Sequence, residues 1–137
     1  MESKYLARFS KVPLPLRGNR IIVEVVPQEE IKTAGGIIVA SDSSYKGTAA
    51  DLKPCLAIVL ACGPGYYDDE TGADVNMDIT PGQVVLVSEV GLKKYSQFPG
   101  LKDYTRDTIA LTRDSEVHIR WNSIADYLAY SAALNAE

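Results

Sequence analysis

The chain has 137 residues, 46% of them hydrophobic and 23% charged, the balance of a soluble domain able to bury one core. Fourteen Lys and Arg against 18 Asp and Glu leave a net charge of -4, which supplies no field for holding nucleic acid or an anionic membrane. The longest apolar run, 55–62, falls far short of the ~20 residues of a membrane-spanning helix, and the first residues carry no signal-peptide core, so a cytoplasmic protein is expected.

Strand signals dominate, because β-branched residues cluster in short runs bounded by Gly, Pro, Asp and Ser. The first run is Arg20-Ile21-Ile22-Val23-Glu24-Val25-Val26. A long connection, residues 28–54, follows without periodicity, and a compact domain seldom carries such a loop unless it is functional or a linker. Within it Gly35-Gly36 precedes an aliphatic island, Ile37-Ile38-Val39, whose polar and small neighbours cannot bury it locally. An aliphatic triplet in that setting asks for a partner.

The second run spans 55–62. It leads into a connection with turn residues at each end and four acids, Asp68, Asp69, Glu70 and Asp74, which reads as an exposed hairpin. A third run covers 84–87. The segment 91–106 then holds Tyr95, Phe98-Pro99-Gly100 and Tyr104, aromatics expected to plug a barrel end. Runs at 108–112 and 117–121 complete the strands. At the end, Ser123 with Asp126 three residues on caps a helix carrying Ile124, Tyr127, Leu128 and Leu134.

The first three runs are apolar on both faces, which ordinarily means a parallel sheet sandwiched by helices. The helices are missing, so the second faces are expected to be covered by strands curling into a small barrel, by neighbouring subunits, or by both. The fold class is therefore all-β.

Cys55 and Cys62 are the only cysteines and His118 the only histidine, so no tetrahedral zinc set can be built from these residue types. The odd spacing of the cysteines within one strand sends them to opposite faces, against a disulfide or a shared metal. His118 sits in the alternating segment Glu116-Val117-His118-Ile119-Arg120, and the chain lacks a nucleophile elbow. No catalytic residue and no metal ligand is expected.

Taken in order, these segments resemble the GroES-type co-chaperonins, the chaperonin-10 family of chaperonin lids. Pro15-Leu16-Arg17-Gly18-Asn19-Arg20 followed by the first strand resembles the family's opening Pro-Leu-x-Asp-Arg, with one residue inserted and Asn19 in place of Asp. Lys32-Thr33-Ala34-Gly35-Gly36-Ile37-Ile38-Val39 is similar to its mobile-loop signature. Residues 56–65 look like the second strand and its glycine turn, 78–85 like the strand entry after the roof hairpin, and 111–117 like the last turn. Gln83 stands where an acid is usual, Val90-Gly91 replaces a Tyr-Gly-Gly-like turn, and 91–106 is longer than the family pattern. The resemblance covers about 13–121, and the unmatched ends are similar to those of divergent members carried by bacteriophages.

The resemblance implies a GroES-like small β-barrel over 13–121, with a mobile loop at about 28–54, a roof hairpin at about 63–78, an N-terminal extension at 1–12 and a C-terminal helical extension at 122–137. It implies a ring of seven subunits that caps a GroEL-type chaperonin in the presence of nucleotide, in the cytoplasm or a host's cytoplasm. Gly35, Gly36, Ile37, Ile38 and Val39 would bind the chaperonin. Leu14, Leu16, Val117 and Ile119 would lie in strands pairing between adjacent subunits, and Asp68, Asp69, Glu70 and Asp74 would sit at the roof. No cofactor belongs to the chain itself, since it has no Gly-x-x-x-x-Gly-Lys-Ser/Thr loop and nucleotide is the partner's ligand.

Two other readings compete. The related barrel of medium-chain alcohol dehydrogenases needs a dinucleotide-binding domain with Gly-x-Gly-x-x-Gly, for which this chain has no room. A structural or interaction β-barrel, such as a virion component, would use the same aliphatic loop on another protein.

Overall fold

The computed structural model describes residues 2–12, 14–26, 54–104 and 108–136. The β-branched runs form strands β1 (Arg20–Val25), β2 (Pro54–Cys62), β5 (Val84–Ser88), β7 (Ile109–Arg113) and β8 (Val117–Trp121). A two-residue strand, β6 (Lys93–Lys94), joins them in one antiparallel sheet of order β6-β7-β1-β2-β5-β8. A separate hairpin pairs β3 (Gly65–Asp68) with β4 (Ala73–Asn76). The fold is mostly β, as expected, with a C-terminal helix α2 (Ile124–Asn135) and a short helix the sequence reading did not anticipate, α1 (Leu6–Lys11).

Strand alternation sorts the buried residues into faces. Ile21 and Val23 of β1, Ala57 and Val59 of β2, Val85 and Val87 of β5 and Ala110 of β7 form one cluster, against which Leu92 and Val117 also pack. Side chains from both ends of the strand order meet in this cluster, so the sheet curls around it.

The outer face is as apolar as the inner one, and the chain's own ends together with the 91–104 loop cover it. Ile22, Leu60, Ala61 and Ile109 pack with the fully buried Tyr5 and with Leu6 and Phe9 of α1. Val26, Leu56, Ile58 and Val84 pack with Tyr127 and with Trp121, Ile124 and Leu128. The doubly apolar strands thus need neither a layer of long helices nor a second subunit over these positions.

One expectation fails for a definable reason. The β1–β2 register jumps from Ile22↔Ala61 to Val23↔Val59, leaving Leu60 as an extra residue in a bulge. Leu60 and Ala61 both face outward, parity is reset, and Cys62 returns to the inner cluster that Cys55 also touches. The cysteines therefore share a face instead of opposing each other. Seven residues of strand still separate them by about 23 Å at ~3.3 Å per residue, and both are free thiols. Burial pushes both thiols above their ordinary pKa, which disfavours the reactive thiolate.

Candidate functional site

Pro54, where β2 begins, lies next to Val26 at the end of β1, whose N–H donates to the Leu56 carbonyl at 2.9 Å. The 27–53 connection therefore leaves and re-enters the barrel at one end of β2. The β3–β4 hairpin follows the other end, after Cys62. A nine-residue strand separates the two features by about 27 Å. Gly35, Gly36, Ile37, Ile38 and Val39 lie outside the described residues.

The hairpin's base depends on two glycines. A Cβ on Gly63 would come within 2.3 Å of the Gly18 carbonyl oxygen, and Gly65, at φ +112°, would meet the Val75 oxygen at 2.0 Å. At the tip the Asp68 carboxylate accepts the Glu70 N–H at 3.0 Å. Asp69, Glu70 and Asp74 are exposed and Asp68 is half-buried, so the hairpin presents acids to solvent. Tyr66 and Tyr67 are exposed beside them.

The four residues expected between subunits occupy different settings. β8 ends the sheet: one edge pairs with β5, and its other edge has no strand partner among the described residues. Ile119 is 47% exposed on it, while Val117 packs into the inner core. Leu14 and Leu16 belong to a segment outside the sheet, where the Leu16 N–H donates to the Leu14 carbonyl at 2.9 Å in a tight turn at Pro15, and they pack half-buried against the outer cluster. His118 is an exposed strand residue.

Sequence reading missed how the N-terminal extension is held. Glu24 interrupts an apolar strand and is 6% exposed on the outer face. Its carboxylate accepts the Ser3 hydroxyl at 2.7 Å, the Lys4 N–H at 2.9 Å and the Tyr5 N–H at 3.3 Å. Ser3 Oγ also accepts the Leu6 N–H at 2.9 Å, so the side chain that meets Glu24 also caps α1. The Lys4 and Arg8 cations lie 5.8 and 5.7 Å from the Tyr5 ring centre. A carboxylate amid isoleucines and valines was the available signal, because a buried charge demands donors.

The aromatics of 91–104 do pack, but on the outer face and not at the end of the interior. Phe98 meets Phe9 and Tyr95 edge-on at 5.6 and 5.5 Å, and the Tyr104 hydroxyl donates to the Tyr95 carbonyl. Between α1 and this loop runs a groove of about 280 Å³ lined by Phe9, Val12, Leu14, Phe98, Pro99 and Leu101. Among the described residues no group of three or more His, Cys, Asp or Glu is placed to hold a metal, and no helix is long and apolar enough to cross a membrane.

Two departures from the resembled pattern have local explanations. Asn19 donates its amide to the Asp114 carboxylate at 2.7 Å, a place where an Asp would set two carboxylates together. Gln83 accepts the Thr80 N–H at 3.1 Å through its side-chain oxygen, the hydrogen bond a carboxylate there would make.

With this geometry in view, comparison with known proteins is decisive: a model of the family described as "Chaperonin 10 Kd subunit" matches residues 14–117. The chain belongs to the chaperonin-10 family. It is 34% identical over 104 residues to the co-chaperonin GroES of Streptomyces avermitilis, covering 74% of this chain and 92% of that one. It is 39% identical over 69 residues to the co-chaperonin GroES of Lactobacillus helveticus, covering 50% of this chain and 64% of that one. An HGPRTase-like protein of Halobacterium salinarum is 32% identical over 78 residues, 54% of this chain but 39% of that protein, too small a share to carry an activity across. Chaperonin-10 proteins are not enzymes, and the family match begins after α1 and ends before α2, so both helices over the outer face lie outside the matched residues, while the Phe98 loop that also covers it lies within them.

Proposed function

We propose that the chain is a co-chaperonin that caps a GroEL-type chaperonin ring in the presence of nucleotide, closing a folding chamber and assisting ATP-dependent folding. One observation carries the reading: the family match spans β1 to β7 and reaches the start of β8, and the connection holding Gly35-Gly36-Ile37-Ile38-Val39 is anchored at the end of β2 opposite the acidic hairpin. The aliphatic triplet enters a hydrophobic groove on the chaperonin, and the two glycines permit the turn that presents it. Burying three aliphatic side chains yields roughly 4.5 to 9 kcal/mol gross. Ordering a segment on binding subtracts about 2 to 5. Each contact is then weak and reversible, and copies displayed together on one ring bind tightly through effective concentration.

Assembly is part of the proposal. The Leu14–Leu16 segment of one subunit adds to the open edge of β8 of the next, beside Ile119, closing a cytoplasmic ring of seven by kinship with the family. The acidic hairpins converge at the roof, and nucleotide stays with the chaperonin.

Co-sedimentation with a GroEL-type chaperonin, with and without nucleotide, together with refolding of a stringent substrate, tests this. Nucleotide-dependent capture is expected. Ile38→Asp should abolish it while leaving the assembly intact, because a charge would enter a dry groove. Full binding by that variant would remove the triplet from the mechanism, and no capture of the unmodified chain would favour an interaction barrel serving another protein.

A further inference from the structure

Beyond Asp126, residues 127–135 of α2 contain no charged residue, yet Tyr130 is 47% and Leu134 62% exposed. The inward side of the helix is already used: Tyr127 and Ser131 are buried, Ile124 and Leu128 pack on the barrel, and one side of the Tyr130 ring meets Trp121 at 5.2 Å, leaving its other side and Leu134 to solvent. A helix facing only water would carry charges on that remaining side. Elsewhere on the molecule lies the groove between α1 and the Phe98 loop, in which Phe9, Leu14, Phe98 and Leu101 surround a space of about 280 Å³ and Val12 is 70% exposed. That volume is below the roughly 300–1,000 Å³ of small-molecule sites and suits one or two side chains.

Connectivity relates the two surfaces. α2 starts three residues after β8, at whose open edge the Leu14–Leu16 segment of the next subunit is proposed to sit. Leu14 of that segment is itself a wall of the groove. Pairing β8 with a neighbour's Leu14–Leu16 therefore brings α2 of one subunit beside the groove of the next. The two surfaces differ, as a ring requires, because a head-to-tail interface joins unlike patches and closes only by rotation. α2 and the α1 side of the groove, Phe9 and Val12, lie outside the family's residues 14–117, whereas Leu14 and the Phe98 loop lie within them.

We infer that α2 of each subunit seats Leu134 and Tyr130 in the α1–Phe98 groove of a second copy of this chain, a further interface layer beside the strand pairing. The inference rests on the ring reading above. Leu134 supplies the aliphatic anchor, and Tyr130 covers the Phe9 and Phe98 edges while its hydroxyl stays at the rim.

The test uses the full chain. In a Cys55→Ala, Cys62→Ala background, Val12→Cys combined with Leu134→Cys should give, on mild oxidation, a ladder of covalent oligomers in denaturing gels, and either cysteine alone should give none. Leu134→Glu should leave far-UV circular dichroism unchanged and raise the concentration at which the ring dissociates by roughly tenfold or more, whereas Leu134→Met should not. Rings of unchanged dilution midpoint in Leu134→Glu with no ladder would overturn the inference, while nucleotide-dependent capture of those rings would leave the co-chaperonin reading standing. Loss of capture at an unchanged midpoint would overturn it too, assigning the helix to the chaperonin. A monomeric unmodified chain would overturn both.

Discussion

On the inner face of the sheet, Ile21, Val23, Val59 and Val85 meet side chains of other strands. On the outer face, Ile22, Leu60, Ile58 and Val84 of the same strands meet residues brought from the two ends of the chain and from the 91–104 loop. The inner cluster lies almost wholly within the span shared with the family, and the outer clusters draw part of their cover, Tyr5, Leu6, Phe9, Tyr127 and Leu128, from beyond it. A barrel can thus carry strands apolar on both sides without a helical layer, provided that short terminal segments are fastened down. The fastening differs: the N-terminal segment is held by hydrogen bonds to a buried carboxylate, the C-terminal one by packing of Trp121, Tyr127 and Tyr130 and an N-cap.

If the added cover matters as much as the shared core, truncating Tyr5 should hurt as much as truncating a residue of the inner cluster. Tyr5, at the start of α1, is fully buried against Ile22, Leu60, Ala61 and Ile109 of β1, β2 and β7. Tyr5→Ala is expected to destabilise by about 3 to 5 kcal/mol, against about 2 to 5 for Ile21→Ala, measured by denaturant unfolding. A Tyr5→Ala loss under about 1 kcal/mol would break the comparison and reduce the N-terminal segment to decoration.

Glu24 separates the polar fastening from the apolar one. Glu24→Ala removes the acceptor for Ser3, Lys4 and Tyr5 while leaving the apolar contacts of α1 in place. The expected loss is about 1 to 3 kcal/mol, with early proteolytic cleavage within residues 2–12. Cleavage no faster than in the unmodified chain would show that apolar packing alone holds the segment.

What was legible in the sequence follows the same division. The strands were readable because runs such as Val84-Val85-Leu86-Val87 carry their own signal, and the Ser123 cap was readable because its partner lies three residues away. The bulge at Leu60 was not, because nothing in Ile58-Val59-Leu60-Ala61 marks an extra residue, and its position is set by pairing with β1. The role of residues 2–12 was hidden for a related reason: Ser3 and Glu24 are distant in sequence, and a six-residue helix has too little intrinsic stability to announce itself. Of the candidate site, the exposed hairpin acids were visible from turn chemistry, whereas Ile119 was named only through the family resemblance. The groove was not, since it is made only when α1 meets the Phe98 loop.

The C-terminal cover offers a gentler test. The Asp126 N–H donates to Ser123 Oγ at 3.0 Å, so Ser123→Ala should remove about 0.5 to 2 kcal/mol from the attachment of α2. Hydrogen exchange would locate the effect in 124–128 and leave β1 unchanged. Equal loss of protection in β1 would mean that the two covers are not independent.

The smallest effect is expected where the N-terminal cover meets solvent. Arg8 donates to both oxygens of Asp103 at 2.6 and 2.7 Å, tying α1 to the 98–104 loop, and about half of each side chain is exposed. The guanidinium holds the Asp103 carboxyl below its ordinary pKa, through the hydrogen bond first and charge second. A carboxylate whose pKa is depressed by folding contributes stability above its unfolded value and loses it as pH falls through the folded one. Asp103→Asn should therefore lower the melting temperature slightly at neutral pH and not at all in acid, where the unmodified chain has already lost the pair. Because the pair is exposed, salt should shrink the neutral-pH difference. A difference that persisted in acid or at high salt would instead mean that Asp103 positions the loop through packing, making this contact a structural part of the groove wall.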